Sequence, residues 1–264
     1  MHRGFNFKLN FKSYMLDEYF DMGEKIYENT RKITKHALDK YISPDGSIDG
    51  SKMQEDWFPQ NIINADVFIS HSHKDKNNAI ALAGWLYEKF KLQSFIDSCI
   101  WSFSDNLLKE IDNKYCWTDD KHETYNYAKR NYSTSHVHLM LSTALNKMMD
   151  KTECLFFMNT INSITPKGLI EQTESPWIYS EITMSQLIKK NLTGREELVK
   201  SELIKSMSER ALLEAKMPSI KYTLGLSHLK EIDEISLLYW VTAYLFDNEN
   251  RYHPLDIFYN QNPK

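Results

Sequence analysis

ADVFISHSHKD, residues 65–75, is the stretch from which the fold can be read. Its first six residues are a short apolar run closed by Ser70, the pattern of a buried strand rather than of a helix with one apolar stripe. A polar turn, HSHKDKNN, follows, and then Ala79, Leu82, Ala83, Leu86 and Phe90 recur at the spacing of one helix face. The same alternation repeats downstream. SFID, residues 94–97, is a second short apolar strand, closed by an acid. HVHLMLSTALNKMM predicts a helix ahead of a third strand, ECLFFM, residues 153–158. Helices are expected over 176–190 and about 196–215, a further strand in SIKYTLGL, residues 219–226, and a final helix in EIDEISLLYWVTAYLF. Strands alternating with amphipathic helices predict an α/β protein with a parallel sheet wrapped by crossover helices. The three apolar runs should be adjacent parallel strands, with Ser70, Asp97 and Asn159 at one edge of the sheet.

Upstream of this block the pattern differs. From Phe11 to Tyr41 the residues Tyr14, Met15, Tyr19, Met22, Ile26, Tyr27, Ile33 and Leu38 recur at roughly helical spacing, which predicts one long helix or two shorter ones. SPDGSIDGS, residues 43–51, concentrates turn formers. It is expected to separate a helical extension, residues 1–56, from the unit spanning 57–264, whose core motifs lie within 65–190. No internal repeat or low-complexity segment is present.

Composition narrows the class of function. At 264 residues, 42% hydrophobic and 26% charged, the chain can bury one sizeable core plus an extension. A net charge of -4 gives no global attraction to phosphate backbones or anionic membranes, so neither nucleic acid nor a membrane surface is the expected partner. Cys99, Cys116 and Cys154 are odd in number and form no CxxC pair, which suits free thiols in a reducing compartment. No window approaches the apolar length of a membrane span, and no signal-peptide core opens the chain. The expected location is the cytoplasm.

In open parallel sheets ligands bind beyond the carboxyl ends of the strands. Here those ends carry Ser70 to Asp75, Asp97 to Trp101, and the segment after Met158, rich in hydroxyl, imidazole, carboxylate and indole groups. The sharpest single feature is Ser175-Pro176-Trp177-Ile178-Tyr179-Ser180-Glu181. Serine is a good N-cap and proline is favoured at the first helical position, so the helix start is fixed. Projected at 3.6 residues per turn, Trp177, Ile178, Ile182, Met184, Leu187 and Ile188 share one arc, and Glu181 falls inside it. A carboxylate facing a core is costly unless it is paired with a cation, satisfied by amides, or used. His71 with His73, and His136 with His138, have the spacing of strand or loop metal ligands but no carboxylate or cysteine set beside them, so no metal site is expected. GxGxxG and P-loop signatures are absent.

Together these residues resemble the Toll/interleukin-1 receptor (TIR) domain family. ADVFISHSHKD, an amphipathic helix and SFIDS look like the opening of such a domain, with Asp75 in its polar loop. Trp177 and Glu181 reproduce the family spacing of a tryptophan four residues before a glutamate on the helix after the third strand. The resemblance covers residues 65–190 and is to stand-alone bacterial TIR proteins of antiphage defence. It implies a flavodoxin-like sheet and a BB loop beginning near Asp97 and running through Ser98, Trp101 and Ser104. It also implies cleavage of NAD at the nicotinamide glycosidic bond, with Glu181 catalytic and Ser70, His71, Ser72, Asp97, Ser98, Trp101 and Trp177 binding substrate. NAD would be the substrate and no further cofactor is implied. Self-association through TIR surfaces, and a separate effector protein that senses the product, are the implied protein partners. Two other readings stand beside this one: a non-catalytic TIR scaffold acting by assembly, and an enzyme resembling nucleoside deoxyribosyltransferases.

Overall fold

The computed structural model describes residues 3–8, 17–31, 37–58, 64–119, 121–164, 171–188, 221–247 and 252–263. Its centre is a five-stranded, wholly parallel sheet. The strands are β1 (Arg3–Phe7), β2 (Val67–Ser70), β3 (Ser94–Ile96), β4 (Cys154–Met158) and β7 (Lys230–Ile232), in the spatial order β3-β2-β4-β1-β7. A separate antiparallel ribbon pairs β5 (Gln172–Thr173) with β6 (Tyr222–Thr223). The helices are α1 (Asp17–Arg31), α2 (Gly50–Trp57), α3 (Lys76–Phe90), α4 (Ser98–Tyr115), α5 (Tyr127–Lys151), α6 (Pro176–Leu187), α7 (Glu234–Phe246) and α8 (Pro254–Gln261).

The three apolar runs are adjacent parallel strands, because β2 pairs with β3 on one side and β4 on the other. Every residue of β2, β3 and β4 is buried. Continuous apolar runs of this kind are what a sheet covered on both faces requires. The architecture is that of an α/β flavodoxin-like fold, whose strand order is 2-1-3-4-5. Here β2, β3 and β4 fill the first three places and β7 the fifth.

The fourth place belongs to β1, and this corrects the expected helical extension. Residues 1–56 are helical in part, through α1 and α2, but they are not an appendage. β1 runs parallel between β4 and β7, with Phe7 in register with Met158 and with Ile232. Phe5 and Phe7 are fully buried against Phe156 and Phe258. RGFNF, only five residues long and followed by a helical pattern, gave no period on which to separate strand from helix. The turn formers at 43–51 make a local turn, with Gly46 at φ +83° and an Ile42–Ile48 bridge, and α2 then begins on the Asp49 cap. They mark no domain boundary.

α1 lies against α3 at a glycine crossing. A Cβ on Gly84 would stand 2.0 Å from the Tyr19 carbonyl oxygen, and one on Gly23 would stand 1.8 Å from that of Ile80. The two backbones approach closely only because neither residue carries a side chain. Tyr19 and Tyr27, one helical step to either side of Gly23, are buried along the same face.

The loop expected from Asp97 through Ser104 is instead the start of a helix. Asp97 caps α4, accepting from the Ser98 amide at 2.6 Å, and Ser98, Trp101 and Ser104 lie in its first two turns. SCIWSFSDNLLKEI contains no glycine or proline, and Ile100, Ser104, Leu107 and Ile111 fall on one inward face. α5 begins well before the predicted segment, at Tyr127, and ends just after it, at Lys151. SIKYTLGL supplies only the two-residue β6, and EIDEISLLYWVTAYLF divides into the edge strand β7 and α7, with α8 after it. The helix expected at 196–215 lies outside the described residues. No described helix is long and apolar enough to cross a membrane.

Candidate functional site

The carboxyl ends of β2 and β3 and the second turn of α6 bring four polar side chains into the interior. α6 begins as its sequence dictates: Ser175 Oγ accepts from the Ile178 amide and Pro176 occupies the first turn. Its buried side is Ile178, Glu181, Ile182 and Ser185. That differs from the projected arc, since Leu187 is 70% exposed and Ser185 is inside. Ser185 Oγ contacts His228 Nε2 at 2.7 Å, a polar partner that an apolar projection does not register.

Glu181 is 1% exposed. Its Oε2 accepts from Ser70 Oγ at 2.5 Å, and its carboxyl lies within hydrogen-bonding reach of that of Asp97. Asp97 and His71 are fully buried, with His71 Nδ1 2.6 Å from Asp97 Oδ1. The imidazole N–H is not aligned on that oxygen, so the contact is a close polar approach rather than a directed bond. No lysine or arginine among the described residues pairs with either carboxyl.

The electrostatics follow from this burial. Desolvation raises Glu181 well above its ordinary range, the neighbouring Asp97 charge adds to the rise, and the Ser70 hydroxyl partly offsets it. Burial likewise raises Asp97, against the hydrogen bonds from Glu181 and from the Ser98 and His71 backbone. His71 is pushed down to about 4, because burial outweighs the pull of Glu181 and Asp75, and is therefore a neutral imidazole near pH 7. The constellation is two carboxyls without a cation, beside a neutral ring.

A cleft of about 450 Å³ adjoins it, walled by Tyr27, Lys76, Trp101, His138 and Trp177, with Ser72 and Ser98 between them. Trp101 stacks on His71 and His73, at 5.5 and 5.9 Å between ring centroids. Trp177 meets His138 edge to face. Glu181 is covered rather than on the wall, but Trp177 one turn before it and Ser98 beside Asp97 both are. The structure thus brings together the eight residues that the resemblance implies for the site: Ser70, His71, Asp97 and Glu181 inside, Ser72, Ser98, Trp101 and Trp177 on the cleft. It adds Tyr27 from α1, whose hydroxyl donates to the Ser98 carbonyl at 3.3 Å, and Lys76, His73 and His138. Tyr27 carried no signal, since it belongs to the segment read as an extension.

Asp75 has a supporting role. Its carboxylate accepts from Thr160 Oγ1 and Asn162 Nδ2, tying the loop after β2 to the loop after β4. The histidine pairs do not converge as metal ligands: His71 faces Asp97, His73 stacks on Trp101, and His136 packs on Tyr132. A different trio, Glu153, His253 and Asp256, has ligand atoms within 4.8 Å of one another, where β4 begins and so away from the cleft. Cys99, Cys116 and Cys154 are buried free thiols. Comparison with protein-family profiles, curated proteins and solved structures gives no match to this chain.

Proposed function

We propose that the protein cleaves NAD at the bond between nicotinamide and ribose, with Glu181 stabilising the positive charge that develops on the sugar. The observation that carries this reading is a buried carboxyl with no compensating cation, at the carboxyl edge of a parallel sheet, next to a cleft walled by tryptophans. An inward glutamate held for structure would need an arginine, a lysine or a set of amides, and its neighbours here are Ser70, Asp97 and neutral His71. Loss of nicotinamide proceeds through an oxocarbenium-like transition state, for which a fixed carboxylate in a dry site is the matching charge.

The cleft suits the rest of the substrate. Trp101, Trp177 and Tyr27 offer faces for an aromatic base or the nicotinamide ring. Lys76, His73 and His138 offer donors for a diphosphate. Capture of the ribosyl group by water would give ADP-ribose, and internal capture a cyclic isomer. The TIR resemblance of residues 65–190 adds to this reading and suggests that the product is a nucleotide signal in antiphage defence, read by a separate effector. The same carboxyl pair also fits a deoxynucleoside, whose N-glycosidic bond has the same chemistry. A scaffold without catalysis is disfavoured, because it leaves two buried acids without a role. Incubating the purified protein with NAD and, separately, with deoxynucleosides, and identifying products by mass, tests the proposal. Release of nicotinamide by wild type and not by Glu181→Gln is the expected result, and no nicotinamide from active-site-intact protein at any concentration overturns it.

A further inference from the structure

Asp97 Oδ2 and Glu181 Oε1 are both buried without a hydrogen-bond partner, although their carboxyls are in reach of each other. With no cation beside them, two carboxylates in contact in a low-dielectric interior cannot both be ionised. The remaining oxygens show which one keeps the charge. Asp97 Oδ1 accepts from the Ser98 amide at 2.6 Å, and the His71 backbone amide also donates to the Asp97 carboxyl, so donors surround it. Among the described residues Glu181 Oε2 accepts only the Ser70 hydroxyl, at 2.5 Å. A proton on Glu181 Oε1, donated to Asp97 Oδ2, gives both orphaned atoms a partner at once.

We propose that the resting site holds one proton between Glu181 Oε1 and Asp97 Oδ2, and that a cationic nicotinamide ligand entering the cleft releases it. The ligand half rests on the NAD reading. In the resting state Glu181 is a neutral acid and cannot stabilise a cationic transition state. A ligand bearing a positive ring brings the charge that favours the second carboxylate: the Glu181 O–H bond breaks, the proton passes to the buffer, and the pair goes from one negative charge to two as the ligand contributes one positive. Asp97 is therefore a positioning residue, holding Glu181 in register and uncharged until substrate is present. The other ionisable groups around the pair do not take its place. His71 at the end of β2 is neutral, Asp75 is tied to Thr160 and Asn162, and Lys76 at the start of α3 lies over the Tyr27 ring at 4.6 Å. On α6 the next inward group is Ser185, bonded to His228.

Two measurements on the full chain test this. The first is infrared spectroscopy of the ligand-free protein at neutral pH, read in the carboxylic-acid C=O region. One buried acid band is expected in wild type, lost in Glu181→Gln, and kept at a shifted frequency in Asp97→Asn, where the same acid loses its anionic acceptor. No acid band, two bands, or one that vanishes with Asp97→Asn alone, overturns the shared proton. The second is calorimetry with carbocyclic NAD, whose nicotinamide ring is cationic but which cannot form the oxocarbenium ion, in buffers of different ionisation heat. About one proton released per ligand is expected with wild type, and none with Glu181→Gln or with the reduced analogue, whose ring is uncharged. Binding without proton release overturns the ligand-linked half. An acid band without any binding leaves the shared proton standing and overturns the nicotinamide reading, whereas NAD cleavage without an acid band does the reverse.

Discussion

Replacing Gly84 by alanine sets two magnitudes against each other. Alanine is the better helix former by about 1 kcal/mol, so an isolated α3 would gain from the change. At the α1 crossing, however, the new methyl would stand 2.0 Å from the Tyr19 carbonyl oxygen and 2.7 Å from the Gly23 amide nitrogen, against 3.4 Å for ordinary contact. Both atoms are backbone, so no side chain can rotate away, and α1 must retreat by more than an ångström. A gap of that size forfeits a quarter to a half of the attraction between the facing surfaces. Overpacking of a tight core costs about 1–3 kcal/mol, and a clash with two backbone atoms belongs at the upper end, so subtracting the helix gain leaves a net loss of roughly 2 kcal/mol. The consequence reaches the cleft, because a retreating α1 takes Tyr27 away from the Ser98 carbonyl. Urea unfolding and NAD turnover on the same sample are the assay, with both expected to fall. Gly23→Ala should cost a similar amount, and the double variant less than the two singles together, since the first substitution already separates the helices. A Gly84→Ala protein as stable as wild type, or more stable, would refute the close crossing.

Other outcomes follow from the same structure. Glu181→Gln should abolish nicotinamide release while leaving the melting temperature at pH 7 unchanged or raised, because the change removes a buried acid rather than stranding a cation; a folded variant with full turnover ends the assignment. Acids raised in the folded state contribute stability that is complete below their unfolded values of 3.8 and 4.5 and is lost as pH rises towards the folded ones. His71, depressed to about 4, has the opposite sense, its stability being lost as pH falls below 6.5, so the carboxyl effect is isolated above that value. Between pH 6.5 and 8.5 wild type should lose up to about 1.4 kcal/mol per pH unit and Glu181→Gln markedly less, by urea titration; parallel profiles would count against the buried acid. Phe7→Ala should destabilise by about 3–5 kcal/mol, as a core position rather than one in an appendage. Trp101→Ala should raise KM for NAD more than it lowers kcat, since the indole walls the cleft and touches neither carboxyl.

The part of the fold that sequence reveals is the part with a period. β2, β3 and β4 announce themselves as apolar runs closed by Ser70, Asp97 and Asn159, and α6 by its serine cap and proline. Of the eight candidate site residues, Ser70, His71, Ser72, Asp97, Ser98 and Trp101 stand out because they lie at or just after the ends of β2 and β3, and Trp177 and Glu181 because they follow the α6 cap. β1 was not, since RGFNF becomes a strand only through β4 and β7, and those partners are distant in sequence. α4 was misassigned for a different reason: the family resemblance supplied a loop where the residues themselves lack any glycine or proline to make one. Tyr27 joined the cleft through the same long-range packing that placed β1. The pairing of Asp97 with Glu181 is also tertiary, because each acid is readable alone but their contact depends on how α6 lies over the sheet edge.

The place of β1 has a consequence for how the chain is made. It is made before both of its neighbours, which lie far downstream, with Phe7 waiting for Met158 and then for Ile232. At synthesis rates of about 5–20 residues per second, β1 has no strand partner for on the order of ten seconds. Until then Phe5 and Phe7, buried in the finished fold, have no sheet to enter. The sheet therefore closes late, when an early strand is drawn in between two that are made after it.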